Sequence, residues 1–148
     1  METRIIDGEL KLVPYYPADE ISLEWYQDLL LCKQVDNIDE PYTRERLHKM
    51  YSYLTSHGEC YYVAYRDRLV GDCSLLDTGE IAVVICRDYQ NRHIGRRCIQ
   101  ELMKRAKEKG MSEIIANIYA FNQRSRHLVR SLGFEEVDTE SFRYLLND

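Results

Sequence analysis

A short apolar stretch stands directly before a polar loop and an amphipathic helix, and this order restricts the fold more than any other feature. Ile81–Ile85 reads IAVVI, which is typical of a central β-strand buried on both faces. The polar loop Arg87–His93 follows, and from Ile94 apolar residues recur every three or four positions until Gly110. A buried strand that leads through a loop into such a helix predicts an α/β domain.

The rest of the chain supplies further strands and helices around this unit. One helix is predicted from the apolar positions Ile21 to Cys32, and another is capped by Thr43 and stopped by Gly58. Asn122 is predicted to cap a fourth helix. The predicted strands are Gly8–Tyr15, Cys60–Tyr65, Leu69–Leu76, Glu80–Cys86, Glu113–Ala120, Phe134–Val137 and Phe142–Leu146. This order predicts a central mixed sheet flanked by about four helices.

Composition limits the class of protein. The 148 residues are close to one average domain of about 150, so residues 1–148 are expected to form a single domain. The net charge of −5 argues against a general nucleic-acid-binding protein. No apolar run approaches the roughly 18 residues of a membrane span, and no signal-peptide pattern is present. We therefore expect a cytoplasmic protein with no membrane or nucleic-acid partner.

Cysteine and histidine usage predicts no metal site. The five cysteines form no CxxC pair and several lie in apolar stretches, so they are interpreted as reduced and mostly buried. The histidines are isolated from one another and from any cysteine pair, whereas a zinc site needs clustered ligands.

The segment Gln90–Arg97, which reads QNRHIGRR, is the strongest candidate for a binding site. A helix N-terminus exposes backbone N–H groups and carries partial positive charge, so it attracts anions. Three arginines strengthen this potential, and Gly95 allows a ligand to approach the backbone. The segment contains neither a GxxxxGK[ST] loop nor a GxGxxG motif. Two interpretations are open: an anion pocket, or a basic first turn that is only solvated.

These residues resemble the GNAT family of N-acetyltransferases. The family's cofactor motif is Gln/Arg-x-x-Gly-x-Gly/Ala at the start of a helix; Gln90, Ile94 and Gly95 match it, and His93 replaces the first glycine. Further along, Asn122 followed by Ser125 resembles the family's Asn-x-x-Ala/Ser helix, and Leu-Gly-Phe at 132–134 resembles the end of that helix. The order β-α-α-β-β-β-α-β-α-β-β extends the resemblance over nearly the whole chain.

The resemblance implies a site for acetyl-CoA as cosubstrate, with no metal. Backbone N–H groups of the loop would hold its pyrophosphate, in the segment Asn91, Arg92, His93, Ile94, Gly95 and Arg96. Val83 and Ile85 would offer main-chain groups to the pantetheine arm where the fourth strand splays from the fifth, and Asn122 would lie near the pantetheine or its sulfur. His93 can serve in place of glycine if its φ stays negative.

The candidate catalytic residues are less well matched to the family. Glu80, at the start of the fourth strand, is the favoured base, although a solvent-facing turn residue is an equal interpretation. Asn117 stands where some members carry a glutamate, and it could relay a proton through water. The family's tyrosine acid is replaced by Val129; Tyr119 is a substitute candidate, although a strand tyrosine more often serves packing.

The predicted function is transfer of an acetyl group from acetyl-CoA to a primary amine in a ternary complex, and the alternative is a catalytically silent acyl-CoA-binding module. The acceptor is expected near the acidic loop 36–40, with Tyr42, Tyr51 and Tyr61 as candidate lining residues for a cationic amine. An ordinary surface loop is an equally good interpretation of that segment. A homodimer would also fit, because dimers are common among similar proteins.

Charge is divided unevenly along the chain. Residues 87–130 hold eleven basic and four acidic residues, a net charge of +7, so the remainder carries −12. A basic half suits an anionic CoA, and an acidic half suits a cationic amine.

Overall fold

In the computed structural model, which describes residues 1–146, eight strands form one mixed sheet. The strands are β1 (Arg4–Ile5), β2 (Leu10–Pro14), β3 (Gly58–Tyr65), β4 (Arg68–Leu76), β5 (Glu80–Ile85), β6 (Glu113–Asn117), β7 (Glu135–Asp138) and β8 (Ser141–Leu145). Their order across the sheet is β1-β2-β3-β4-β5-β6-β8-β7. Neighbours are antiparallel except β5 and β6, which are parallel. The predicted α/β class and mixed sheet are confirmed.

Helices cover both faces of this sheet. They are α1 (Asp19–Trp25), α2 (Leu29–Asp36), α3 (Arg44–His57), α4 (Ile94–Glu108) and α5 (Gln123–Ser131), and a single 3₁₀ turn spans Arg87–Tyr89. One core lies between the sheet and the helices α4 and α5. The second core lies between the opposite face and α1, α2 and α3, and it is rich in tyrosine. Within residues 1–146, no helix is long and apolar enough to cross a membrane.

The single helix predicted between Ile21 and Cys32 is instead two helices, so the described chain has five α-helices rather than about four. Asp28 causes the break, because its carboxylate accepts hydrogen bonds from the backbone N–H groups of Leu30 and Leu31. Such an N-cap starts a new helix at Leu29. The periodicity of apolar residues continued across the junction and concealed it.

The sheet opens between β5 and β6, which are the fourth and fifth strands of the sequence-based prediction. These strands pair only at Glu80 with Ile115 and at Ile81 with Ala116. The predicted splay is thereby confirmed. The expectation that Ile81–Ile85 is buried on both faces is wrong, since Ala82 is exposed and Val83 is only half-buried. Beyond Ile81, the apolar strand β5 borders a cleft instead of a paired neighbouring strand.

Smaller differences concern the edges of elements. The sheet begins with the two-residue β1, which the alternation of apolar residues did not predict, and β6 ends at Asn117 rather than at Ala120. The predicted turn between β3 and β4 is present, with Arg66 and Asp67 both at positive φ. This conformation matches the twist of a two-residue hairpin.

Candidate functional site

A cleft of about 710 Å³ lies where β5 and β6 separate. Residues along β5 alternate between its two sides, because successive side chains of a strand point to opposite faces. Ile81, Val83 and Ile85 face the core under α4, whereas Val84 faces the core under α2. The side that Ile81, Val83 and Ile85 face is called the α4 side of the cleft, and the side that Val84 faces is called the α2 side. Both helices contribute lining residues.

On the α4 side, the cleft ends at the N-terminus of helix α4, which no side chain caps within the described structure. The first intrahelical bond runs from the Arg97 N–H to the His93 carbonyl at 3.2 Å. The N–H groups of Ile94, Gly95 and Arg96 precede it, and a helix leaves such groups without internal partners. Gly95 lines the cleft, so these donors border open space. The arrangement can bind an anion.

His93 adopts a left-handed conformation, so the condition of a negative φ, under which it could serve in place of glycine, is not met. Its φ is +62°, and Asn91 has a φ of +63°. Histidine and asparagine enter this region more readily than most residues do. His93 therefore takes the backbone conformation that glycine favours, and the loop turns into α4 without a glycine at that position. Alternating backbone of this kind directs N–H groups into a concave anion site.

The backbone of β5 presents polar groups to the opening. The Cys86 N–H donates to the Val70 carbonyl at 2.8 Å, in register with the β4–β5 ladder. Because inward and outward groups alternate along an antiparallel strand, the N–H and C=O of Val83 and Ile85 point away from β4 and toward the cleft. The Gln90 side chain already donates to the Ile85 carbonyl at 2.9 Å. Gln90 thus fixes the end of β5 against the loop.

Arginines from two helices surround the α4 end of the cleft. Arg96 donates to the Ser131 hydroxyl at 2.8 Å, and Arg124 donates to the Gln90 side-chain carbonyl at 3.2 Å. Arg97 does not join them, since it binds Asp7 at 2.8 Å. The Arg92 guanidinium lies over the Tyr89 ring, 5.0 Å from its centroid. Arg96 and Arg124 are therefore the arginines of the described cleft lining, and Arg92 lies beside it in the loop between the lining residues Asn91 and His93; we call these three arginines the rim.

The α2 side has a different chemistry. Its lining consists of one carboxylate, two side-chain amides and four apolar side chains, namely Glu80, Gln34, Asn117, Leu31, Val35, Ala82 and Val84. Glu80 makes no ion pair among the described residues, whereas Asn117 accepts a hydrogen bond from the Ser141 hydroxyl at 2.7 Å. A carboxylate at the edge of a partly apolar cleft can accept a proton from a bound ligand.

The remaining candidates lie on α5 or in the segment between β6 and α5. Asn122 lines the cleft and caps α5, its side chain accepting from the Ser125 N–H at 3.4 Å. Val129 lines it as a buried side chain of the core. Tyr119 is absent from the described lining, and its ring stacks on Phe121 with centroids 5.6 Å apart. This contact favours the packing interpretation of Tyr119.

The three tyrosines expected to line an acceptor site are buried in the protein instead. Tyr42 donates to Asp36, Tyr51 donates to Asp72, and Tyr61 donates to Glu59. All three have a relative exposure of 5% or less. A tyrosine buries a large ring and hydrogen-bonds its hydroxyl to a partner, so these residues pack the core.

The cysteines have no features of nucleophiles. Burial raises the pKa of all five thiols, to about 12 for Cys98. Raised values disfavour the reactive thiolate. In residues 1–146, no group of three or more His, Cys, Asp or Glu side chains is arranged to hold a metal ion.

The sequence pattern and the geometry converge on one family. The profile of the acetyltransferase (GNAT) family matches residues 22–134, which include the cleft, the α4 N-terminus and helix α5. The chain belongs to the GNAT acetyltransferase family. The splayed strands and the uncapped helix N-terminus are the parts of this GNAT domain that could accept a ligand.

One curated protein is similar in sequence to part of this GNAT domain. A segment of 57 residues is 37% identical to an L-amino acid N-acyltransferase, MnaT, from Escherichia coli K12. The alignment covers 38% of this chain and 33% of that protein, so the chain spans about a third of that relative's length.

Solved structures share the fold over almost the full chain. A domain from Methanocaldococcus jannaschii superimposes with a TM-score of 0.78 and 25% identity, covering 95% of this chain and 100% of that one. Spermidine N-acetyltransferase from Vibrio cholerae, in complex with CoA and spermine, also gives a TM-score of 0.78, with 15% identity and coverage of 94% and 96%. At 15% identity, the likeness to the spermidine N-acetyltransferase concerns the fold alone.

Sequence reasoning missed part of the cleft wall. The α2 residues Leu31, Gln34 and Val35 were not singled out, because the break at Asp28 was not recognised and α2 had no predicted orientation. His127 on α5 was also missed. His127 follows the capping Asn122 by five residues, so it lies near the start of α5. That spacing was the signal in the sequence that could have identified it as a lining residue.

Proposed function

We propose that this GNAT domain transfers an acetyl group from acetyl-CoA to a primary amine, directly and within a ternary complex. The observation that carries the proposal is the uncapped N-terminus of α4, preceded by Asn91 and His93 at positive φ, at one end of the cleft. Backbone N–H groups and a partial positive charge at such a terminus suit a pyrophosphate. Arg96 and Arg124 add charge of the required sign.

The cleft fits a long, narrow cosubstrate. Outward-pointing main-chain groups of Val83 and Ile85 extend from the α4 terminus along β5, and Asn122 faces the same space. We propose that these groups hold the pantetheine arm, as a strand would. Acetyl-CoA supplies an acetyl group activated as a thioester. The residues present therefore fit the group, and no metal enters the proposed reaction.

Glu80 is the proposed base. The reaction joins the amine nitrogen to the acetyl carbon, breaks the C–S bond and requires removal of a proton from the amine. Glu80 lies on the α2 side and can take this proton directly or through water held by Asn117. Val129 stands where the family's acid would be, so we propose that the CoA thiolate, a good leaving group, departs without an acid on α5. Tyr119 stacks on Phe121 and has no role in the proposed reaction.

Relatives that act on amines support the choice of acceptor. The curated relative is named an L-amino acid N-acyltransferase and one structural neighbour a spermidine N-acetyltransferase, and the feature that these two names share is acylation of an amino group. The acidic character of the α2 side also suits a cationic amine.

One experiment tests the proposal against its alternative. Acetyl-CoA is titrated by calorimetry, and a panel of amines is then screened for release of CoA thiol. Binding with turnover supports the transferase, and absence of binding contradicts it. Tight binding without turnover would support a silent acyl-CoA-binding module, which the buried Val129 at the acid position favours.

A further inference from the structure

Within residues 1–146, the α2 side of the cleft offers no positively charged lining residue to a ligand. Its described lining holds the carboxylate of Glu80, the amides of Gln34 and Asn117, and four apolar side chains. The cationic lining residues are on the other side, where Arg96 and Arg124 border the α4 terminus. The two sides therefore differ in the sign of charge that they can bind.

Several cations that contact α2, its N-cap or β6 are already paired with carboxylates. Lys33 binds Asp39 at 3.4 Å, and its ammonium lies 5.8 Å from the centre of the Phe121 ring. Arg46 pairs with Asp36, Arg143 with Glu113, and Arg87 lies 3.9 Å from Asp28 at the N-cap of α2. A ligand carboxylate on this side would have to compete with a protein carboxylate for each cation.

A second carboxylate next to Glu80 would be unfavourable for two reasons. Like charges in a partly apolar site repel each other strongly, because the local dielectric is low. The apolar neighbours Leu31, Val35 and Val84 would also remove water from a charge that gains no partner. A protonated amine on an apolar stem meets neither penalty.

On these grounds, and resting on the proposed function, we infer that the acceptor is a primary amine with no carboxylate beside it. Alkylamines and the amino groups of peptides or amino acid amides belong to this class, and free amino acids do not. The excluded feature is a single charge, so chemically matched acceptors can test it.

The test compares acceptors that differ only at the carbon next to the amine. Leucine, leucinamide and 3-methylbutylamine form one set, and phenylalanine, phenylalaninamide and phenethylamine form another. CoA release is measured with acetyl-CoA, and kcat/KM is expressed per concentration of neutral amine. We expect the amides and simple amines to exceed the free amino acids by at least about tenfold, which corresponds to about 1.4 kcal/mol. Equal or faster turnover of the amino acids overturns the inference alone. No turnover with any of the six, although acetyl-CoA binds, overturns the proposed function together with the inference.

A charge placed on the α2 side gives an independent check. Gln34→Arg adds a cation to the lining, whereas Leu30→Arg adds it to the exposed face of the same helix. Gln34→Arg should shift the ratio of kcat/KM for leucine over leucinamide at least about fivefold toward leucine, and Leu30→Arg should leave it unchanged. Both variants should bind acetyl-CoA as the original does. If a folded Gln34→Arg or Gln34→Lys protein keeps the original ratio, the inference is wrong.

Discussion

At the scale of single residues, backbone conformation matters as much as side-chain chemistry. His93 stands where the family's motif has glycine, and its φ of +62° lies in the region that glycine favours. A non-glycine residue in this region carries a local conformational cost, which the surrounding structure must offset. Gly95 is different, since no unusual φ requires it and an added Cβ would meet only Ile85 Cγ1 at 4.0 Å. The value of Gly95 is therefore the open space before it.

Substitutions at Gly95 should affect protein stability and ligand binding differently. Gly95→Ala should leave stability unchanged or raise it by up to about 1 kcal/mol, because alanine favours helix and the site has room. Gly95→Leu should remain folded but fill the cleft and weaken acetyl-CoA binding at least about tenfold, or about 1.4 kcal/mol. Thermal melting and calorimetry measure the two effects. Retained affinity in a folded Gly95→Leu protein would count against the pyrophosphate site.

Glu80 should affect turnover and leave binding unchanged. Glu80→Gln removes the proposed base, so kcat should fall by about 100-fold, a typical contribution of general-base catalysis. The acetyl-CoA dissociation constant should stay the same, because Glu80 lies on the α2 side. Glu113→Gln is the matched control, since Glu113 binds Arg143 on the adjacent strands. Unchanged kcat in Glu80→Gln would remove the base assignment.

At the scale of elements, two buried carboxylates join helices to the sheet with opposite electrostatic consequences. Asp72 on β4 accepts hydrogen bonds from Tyr26, at the end of α1, and from Tyr51 on α3, at 2.7 and 2.8 Å. Burial raises the pKa of Asp72 to about 6. On the opposite face, Glu59 of β3 is held by helix α4, and the hydrogen bonds from Arg105 lower its pKa to about 2.

Asp72 should make the protein less stable as the pH rises. Folding favours the protonated carboxyl, so the contribution is full below pH 3.8 and is lost as the pH rises through about 6. Asp72→Asn keeps an oxygen acceptor for both tyrosines and removes the charge. Its free energy of unfolding should exceed that of the original protein at pH 8 by up to about 3 kcal/mol, with little difference at pH 4. Urea unfolding at both values measures this, with the exposed Asp77→Asn as control. A difference that does not depend on pH would contradict the assignment.

Glu59 should make the protein more stable as the pH rises, which is the opposite of the effect of Asp72. Its lowered pKa means that its stabilisation is present above pH 4.5 and is lost as the pH falls through about 2. Glu59→Gln should lower the free energy of unfolding at pH 7 by about 2–3 kcal/mol, because Arg105 and Lys109 lose a largely buried partner. Glu45→Gln breaks an exposed pair with Lys49 and should cost less than about 1 kcal/mol. Equal losses in the two variants would show that the Glu59 cluster adds nothing special.

At the scale of the whole molecule, the charge division along the chain is only partly a division of surface potential. Residues 87–130 carry a net charge of +7, but much of it is neutralised across elements. Arg105 and Lys109 pair with Glu59, and Arg126 and Arg130 pair with Glu136. The cations that remain at the cleft are those of the rim, Arg92, Arg96 and Arg124.

Salt should therefore weaken binding of the phosphates and leave the rest of the cosubstrate unaffected. The acetyl-CoA dissociation constant is expected to rise several-fold between about 0.05 and 0.5 M NaCl, because exposed charges are screened at short range. Acetyl-pantetheine, which lacks the phosphates, should show little change. Arg96→Gln and Arg124→Gln should each reduce the salt dependence, whereas Arg130→Gln should not. Calorimetry at several salt concentrations measures this, and equal salt dependence for both ligands would contradict it.

Local periodicity and turn chemistry were enough to predict the α/β class, most strands, the caps at Thr43 and Asn122, and the start of α4. The sequence by itself did not determine the break at Asp28, where the apolar period continued through a cap. It also could not show that β5 borders an opening, since an apolar strand has the same composition beside a neighbouring strand or beside a cleft.

Which residues share the cleft, and which are buried away from it, depends on tertiary packing. Tyr42, Tyr51 and Tyr61 suited an aromatic acceptor site by type, but cross-chain hydrogen bonds place them in the core. Gln34 lines the same cleft as Glu80 and Asn117 only because α2 packs on the sheet where β5 and β6 part. Such contacts join residues far apart in the chain. Their formation depends on which faces of the sheet and helices pack together, and local sequence carries no record of that.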